Sequence, residues 1–228
     1  MKRSIFHSAI AIVAALSFLS CNEPREDVAD PLSEKDVYRT IGEEIPFETA
    51  MEWIEFYKKE SYHQGRLMSS SPYHVPAAQL ETIMNSTTDL VGIALHHAID
   101  DSAQHHIILI PVDGSMSLWS EIPERIMVDA NTGSAISQPI AYTWAKRYKD
   151  ENPDKTWFHF FGKNIFNDMA ALPFFNSVEI EPAINVLDLT PQLLLVVMND
   201  ELISTGRTTA TQAVVYDASN ACPPCAVK

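Results

Sequence analysis

Apolar and polar residues follow two different periods along this chain, and the period changes near residue 90. Before that point, apolar residues recur every three or four positions, as they do on one face of an α-helix. Pro46 opens such a stretch, because proline suits the first helical turn, and Ala50, Ile54 and Tyr57 continue it. The pattern predicts a first helix over 46–60 and a second one that begins at Pro76 and ends near residue 85.

The rest of the chain consists mainly of short apolar runs bounded by turn residues. The runs 90–99 and 104–112 flank a polar loop and predict a β-hairpin. We predict further strands at 126–129, 134–136, 156–161, 178–181, 193–198 and 213–216, and helices at 139–148 and 164–172. This mixture predicts an α+β fold, with an antiparallel or mixed sheet and about three helices packed on one face, in a single domain over 46–228.

The leading segment has an organisation of its own. A basic start, Met1–Arg3, precedes an apolar run, Ala9–Leu19, which is followed by Ser20 and Cys21. This arrangement is typical of a secretory signal. A first cysteine directly after the apolar run resembles the lipobox of bacterial lipoproteins, in the looser form common in the Bacteroidetes.

The resemblance implies that residues 1–20 are a signal peptide and that Cys21 is lipidated. It places the protein in the cell envelope, anchored to the outer membrane and facing the periplasm or the cell surface. The alternative is a secreted protein whose Cys21 is free or disulfide-bonded. Residues 21–45 are rich in charge and poor in apolar residues, which predicts a flexible tether.

Charge limits the classes of partner. The chain carries 16 basic and 30 acidic residues, a net charge of −14. Such a balance argues against nucleic-acid binding, which needs clustered Lys and Arg, and favours a basic partner protein or a cationic ligand. No glycine-rich phosphate loop is present in the sequence, and we expect no cofactor.

Cys222 and Cys225 remain as a pair once Cys21 is assigned to the lipid, and in an exported chain an even remainder predicts a disulfide. Their C-x-x-C spacing does not favour a redox enzyme, because no helix can follow it so close to the end. Asp101-Ser102-Ala103 resembles the short O-glycosylation motif of exported Bacteroidetes proteins, which makes Ser102 a candidate acceptor.

Two groups of histidines are candidates for chemistry. If Ile99 pairs with Gln104, His97 lies opposite His106, and the two imidazoles would hold a metal when a third ligand joined them. The alternative is a pair of polar residues on a solvated sheet face. His159 lies among aromatic residues on a predicted strand, where it would serve as a general base or line an aromatic groove with Lys163 at its rim. The alternative is a core histidine with satisfied hydrogen bonds.

No motif in the sequence joins a nucleophile to a base, so we interpret the chain as a lipid-anchored envelope protein with a non-catalytic binding or interaction domain. Its partner would be a small molecule or a basic protein, the latter as for an immunity-type inhibitor. The alternative is an envelope hydrolase or metal-binding protein that uses His159 or the His97/His106 pair. A deep pocket that holds one of these histidines beside an acid would favour the enzyme.

Overall fold

A computed structural model describes residues 33–63, 72–198, 213–217 and 220–222. Helices and strands fill most of these ranges. The helices are α1 (Glu34–Tyr38), α2 (Phe47–His63), α3 (Ala77–Asn85), α4 (Gln138–Glu151) and α5 (Lys163–Ala171). The strands are β1 (Glu43–Ile45), β2 (Tyr73–Pro76), β3 (Leu90–Ile99), β4 (His105–Asp113), β5 (Met127–Asp129), β6 (Ser134–Ile136), β7 (Phe158–Gly162), β8 (Ser177–Ile184), β9 (Pro191–Met198), β10 (Ala213–Asp217) and β11 (Asn220–Cys222).

The strands form two antiparallel sheets. A five-stranded sheet has the order β1-β10-β9-β8-β2, and a six-stranded sheet has the order β11-β7-β3-β4-β5-β6. The central strands β3, β4 and β9 read as almost continuous apolar runs because both of their faces are buried.

Side-chain alternation along the strands defines the layers. On β9, Leu193 and Leu195 belong to a core that also contains Ile93 and Leu95 of β3, so this core lies between the two sheets. The residue between them, Leu194, points the other way and packs with Trp53 of α2. Successive residues of a strand point to opposite faces, so one strand contributes to two layers.

The six-stranded sheet has a helix on its outer face as well. Ala94 of β3 and Ile108 of β4 share a cluster with Ala141 of α4. The mixed α+β fold is therefore confirmed, but the helices number five in the described residues, and the expectation that they pack on one face is wrong. Two stacked sheets leave two outer faces to cover, and α2 and α4 each cover one of them.

The folded unit begins earlier than the sequence suggests. Part of the predicted tether over 21–45 is ordered: α1 packs near β3, and β1 pairs with β10. Its few apolar residues make specific contacts, as Tyr38 does when its ring meets the edge of Phe160 at 5.9 Å. The leader and Cys21 lie outside the described residues. Within the described ranges, no helix is long and apolar enough to cross a membrane.

Candidate functional site

The β3–β4 hairpin differs from its predicted register by one residue. Ile99 pairs with His105 instead of Gln104, because the loop is the three residues Asp101–Ala103. Ala103 takes a positive φ of 61°, and the Asp100 carboxylate accepts hydrogen bonds from the backbone N–H of Ser102 (2.9 Å) and Gln104 (2.7 Å). A type I turn followed by a left-handed residue is the usual three-residue hairpin loop.

This register separates the predicted pair. His97 lies opposite Ile107, and His106 lies opposite Ala98, so His97 and His106 point to opposite faces of the sheet. The predicted opposition of these two residues is therefore wrong, since a shift of one residue reverses every side chain of a strand. Both histidines are also buried, at 7% exposure, so the solvated sheet face that was the alternative is wrong too.

On the outer face, which faces α4, His106 is held by carboxylates. Its Nδ1 lies 3.0 Å from Oδ1 of Asp129 and its Nε2 lies 3.4 Å from Oδ2 of Asp100. A carboxylate only accepts, so Nδ1 of His106 carries the proton in that bond. The ring of Trp144 on α4 lies 4.9 Å from the imidazole. These contacts fix His106 as a structural group of the hairpin.

His96 lies on the same outer face and is enclosed by aromatic rings. Its imidazole stacks on the ring of Phe158, with the centroids 5.5 Å apart. It also forms a T-shaped contact with Trp119, with the centroids 5.7 Å apart. Nδ1 donates to the backbone carbonyl of His97 at 2.7 Å. Burial lowers the pKa of His96 to about 4, so it is neutral at pH 7.

The inner face, which faces the five-stranded sheet, joins two histidines to a tyrosine. Nδ1 of His97 lies 3.0 Å from Nε2 of His105, and Nδ1 of His105 lies 3.1 Å from the hydroxyl of Tyr73. Tyr73 belongs to β2, so this hydrogen-bonded series crosses from one sheet to the other. His97 is the end of the series that reaches a cavity.

That cavity has a volume of about 350 Å³ and lies between the ends of the two sheets. His97 and His159 line it from the six-stranded sheet, and their rings meet edge to face at 5.8 Å. Tyr148 of α4 stacks on His97 at 5.0 Å. Arg147, the neighbour of Tyr148, donates to the carbonyl of Ile99 at 3.0 Å and so ties α4 to the hairpin.

The remaining walls of the cavity come from other elements. They are Tyr57, Glu60 and Ser61 of α2, the loop Asp154–Thr156, Pro182–Ile184 of β8 and Pro191–Leu193 of β9. Carboxylates thus line the cavity, but among the described residues neither His97 nor His159 is hydrogen-bonded to one.

The aromatic and imidazole groups of this site are uncharged at neutral pH. Burial lowers the pKa of His105 to about 4 and that of His159 to about 3, and it holds the pKa of His97 well below its ordinary value. Burial likewise raises the pKa of Tyr148 to about 12 and the pKa of Tyr73 well above its ordinary value. These imidazoles and phenols therefore offer hydrogen bonds without charge.

His159 is 1% exposed, and its Nδ1 has no hydrogen-bond partner among the described residues. Phe161 lies on the same face as His159, while Phe158 and Phe160 join the core on the other face, and Trp157 packs against that core as well. Lys163, which was expected at the rim of a groove, begins α5, and the lysine that lines the cavity is Lys155.

The other predicted sites lie apart from this cavity. Ser102 is exposed at the tip of the hairpin, and its glycosylation stays a prediction. Cys222 ends β11 opposite Phe158, while Cys225 and the predicted disulfide lie outside the described residues. Across the described ranges, no three His, Cys, Asp or Glu side chains are grouped so that they would hold a metal ion.

Three participants were missed from sequence. His105 was not assigned to the site because the predicted register placed His106, and not His105, beside His97. Tyr73 begins β2, a strand of only four residues. Pro72 precedes this strand and Pro76 ends it, and prolines so close together do not suggest a strand. Tyr148 follows helical spacing, which predicts burial but not contact with a sheet end. Only the adjacency of two histidine pairs around one turn could have suggested the cluster.

Comparisons with known proteins found no match, so this site is interpreted from its own geometry. No protein-family model matches the chain, and neither a curated protein nor a solved structure matches it.

Proposed function

We propose that this protein is an envelope-anchored binding protein that holds a small, uncharged and partly apolar ligand in the cavity between its sheets. The observation that carries the proposal is the cavity itself, enclosed by His97, Tyr148 and His159 on one side and by β8 and β9 on the other. Ligand sites in proteins are concave, mostly apolar and supplied with a few convergent polar groups.

The charge state of the lining selects the ligand. Neutral imidazoles and phenols donate and accept hydrogen bonds, but they do not compensate an ion for its lost hydration. Lys155, Glu60 and Asp154 also line the cavity, and their mixed signs do not favour one charge. A neutral ligand is thus favoured over its anionic or cationic counterpart.

The size of the cavity limits the ligand as well. About 350 Å³ lies near the lower end of the range of ligand pockets, about 300–1,000 Å³. A single substituted ring fits such a volume. For a fragment of that size, a dissociation constant of about 1 mM, or about −4 kcal/mol, is a reasonable expectation.

A matched pair of probes tests the proposal. Benzamide and benzoate have nearly the same shape, but only benzoate is charged at pH 7. We expect benzamide to bind the domain 33–228 at millimolar concentration by calorimetry and benzoate to bind at least about tenfold more weakly. His97→Ala lowers benzamide affinity by at least about tenfold, whereas His74→Ala, an exposed position on the edge strand β2, leaves it unchanged. Equal binding of both probes, or of neither, contradicts the proposal.

The location belongs to the proposal too, and the leading sequence supports it. A basic start, a short apolar run and Cys21 together resemble a lipoprotein signal, and a lipid of several acyl chains at Cys21 would hold the domain stably at a membrane. Intact-mass spectrometry of protein from a membrane fraction tests this. We expect a chain that begins at Cys21 and carries fatty acids, and a chain that retains residues 1–20 contradicts it.

A second candidate function is the docking of a basic partner on α2. Phe47, Met51 and Phe56 line an open apolar groove, which Val186 of the β8–β9 loop completes. Leu187 of that loop is 88% exposed. An exposed leucine beside partly buried phenylalanines is typical of an interaction surface.

Acidic side chains decide the partner of this groove. Glu48, Glu52 and Glu55 line it and are exposed, and they outnumber its one basic lining residue, Lys59. Charge complementarity therefore favours a segment of a partner protein that alternates apolar residues with Lys and Arg, as a target of an immunity-type inhibitor would.

A synthetic amphipathic helix of Leu and Lys is the probe for this candidate. We expect it to bind with an affinity that falls as salt rises, and replacement of Glu48, Glu52 and Glu55 by Gln weakens it further. The matched control replaces the exposed Glu121, Glu124 and Glu151 by Gln, which changes the net charge equally away from the groove. Equal loss in both variants would show general attraction to an acidic protein and contradict a site on α2.

A further inference from the structure

The order of the hydrogen bonds in the series Tyr73–His105–His97 determines which atoms carry the protons. Both imidazoles are neutral at pH 7, so each has one N–H. The hydroxyl of Tyr73 has a single hydrogen-bond partner among the described residues, Nδ1 of His105. A buried O–H that did not donate there would be left without an acceptor, which is unfavourable because the group has lost its hydration.

The remaining assignments follow one after another. If Tyr73 donates to Nδ1 of His105, the proton of His105 is on Nε2 and is donated to Nδ1 of His97 at 3.0 Å. The proton of His97 is then on its own Nε2. That nitrogen has no partner among the described residues, and His97 lines the cavity.

We propose that the Tyr73–His105 pair holds His97 as a neutral Nε2–H donor, and that the cavity accordingly takes a ligand with a neutral carbonyl oxygen, such as a ketone, an ester or an amide. This inference rests on the proposed binding function and names its ligand class. Tyr73 and His105 act as positioning residues, because they reach the ligand only through His97.

The surroundings favour a hydrogen-bond acceptor at this position. Tyr148 stacks on the ring of His97 and fixes its plane, so the N–H direction is determined before a ligand arrives. The ring of His159 meets that of His97 in a T-shaped arrangement, with the two ring centroids 5.8 Å apart. An ammonium group, which only donates, would meet an N–H in place of a lone pair, whereas a carbonyl oxygen accepts from it.

Nitrogen NMR of the histidine side chains tests the proton assignment without any ligand. In the protein at pH 7 we expect His97 to be protonated at Nε2 and unprotonated at Nδ1, and His105 likewise. Tyr73→Phe removes one oxygen and so shifts part of the His97 population to the Nδ1–H form. Tyr142→Phe, a half-exposed tyrosine near Trp119, leaves the spectrum unchanged. An Nδ1-protonated His97 in the unaltered protein overturns the inference.

Acetophenone and 2-phenylpropene test the ligand class, since they differ only by the exchange of a carbonyl oxygen for a methylene group. We expect acetophenone to bind about three- to tenfold more tightly, the effect of one neutral hydrogen bond. Tyr73→Phe reduces this preference, while His97→Gln retains part of it because its amide supplies an N–H near the position of Nε2.

Infrared spectroscopy separates this effect from a general loss of packing. The carbonyl stretch of bound acetophenone shifts to lower frequency when it accepts from His97, and the shift is smaller in Tyr73→Phe. Equal affinities of the two probes overturn the carbonyl class even though the binding function holds. Binding of neither probe overturns the ligand class together with the binding function, while the nitrogen spectrum still reports on the proton assignment separately.

Discussion

The two faces of the β3–β4 hairpin carry histidines from the same two sequence pairs and use them differently. On the outer face, His106 is fixed by Asp129 and Asp100, and His96 is enclosed by aromatic rings. On the inner face, His97 and His105 contact each other and tyrosines, and His97 lines a cavity. Alternation along a strand thus places one histidine of each pair on the outer face and the other on the inner face, where only His97 lines the cavity.

Acid should affect both faces together, and its effect is the largest we expect. Burial lowers the pKa of His96 and His105 to about 4 and that of His159 to about 3. The unfolded chain, with histidine pKa values near 6.5, therefore binds protons first as pH falls. Stability is full above about pH 6.5 and decreases as the pH falls to about 3, by a total on the order of 10 kcal/mol, which is comparable to the whole stability of a domain.

Urea unfolding at several pH values between 7 and 4 measures this loss. His159→Leu flattens the dependence because it removes one buried group, and the exposed His74→Ala leaves it unaltered. A free energy of unfolding that stays constant from pH 6.5 to pH 4 would show that these histidines are not buried as neutral groups.

The structural role of the outer face predicts the next largest effect. His106→Ala leaves the Asp129 carboxylate, which is 4% exposed, without its imidazole partner. We expect a loss of about 3 kcal/mol in the free energy of unfolding, with benzamide affinity unchanged. His106→Asn restores part of the stability, because its amide N–H lies near the position of Nδ1. A loss below about 0.5 kcal/mol would place His106 outside the structural group.

The inner face predicts the opposite balance. His97→Ala removes the donor that faces the cavity and lowers benzamide affinity by at least about tenfold. The same change costs about 1–2 kcal/mol in stability, less than His106→Ala, because no buried carboxylate loses its partner. Chemical denaturation and calorimetry on the two variants compare both quantities. If His106→Ala reduces the affinity as much as His97→Ala does, the division between the faces is wrong.

The hairpin also shows how far sequence reasoning reaches. Apolar runs located β3 and β4, since long runs bounded by turn residues have few other interpretations. The register depended on the loop, where Ala103 takes a left-handed conformation that usually belongs to glycine. An error of one residue in that loop led to the prediction of His106 as the neighbour of His97, whereas the structure places His105 there.

The packing of two sheets against each other could not be predicted from sequence, for a different reason. Pattern predicts that β9 is buried but cannot say whether helices or a second sheet bury it, because Leu193 and Leu194 are alike as sequence and differ only in what they face. The short edge strands β1 and β2 were missed because three or four residues carry too little periodicity, and no hairpin turn marks them as one marks β5 and β6. Tyr73 belongs to one of them, so the site was incomplete from sequence.

The acidic groove on α2 predicts the smallest effects. Single replacement of Glu48 or Glu52 by Gln changes the affinity for a Leu/Lys peptide by less than about 1 kcal/mol, because both side chains are exposed and screened by salt. Fluorescence anisotropy at two salt concentrations measures the change. Binding of the peptide that does not depend on salt would contradict an electrostatic contribution from this helix.

The most direct test of the central claim, that only the inner face serves a ligand, is the nitrogen spectrum of the histidine side chains during a titration with benzamide. We predict saturable shifts for His97 and His159, which line the cavity, and constant signals for His96 and His106, which face α4. Shifts of His96 or His106 that equal those of His97, or no shift of any histidine at saturating benzamide, would contradict the account.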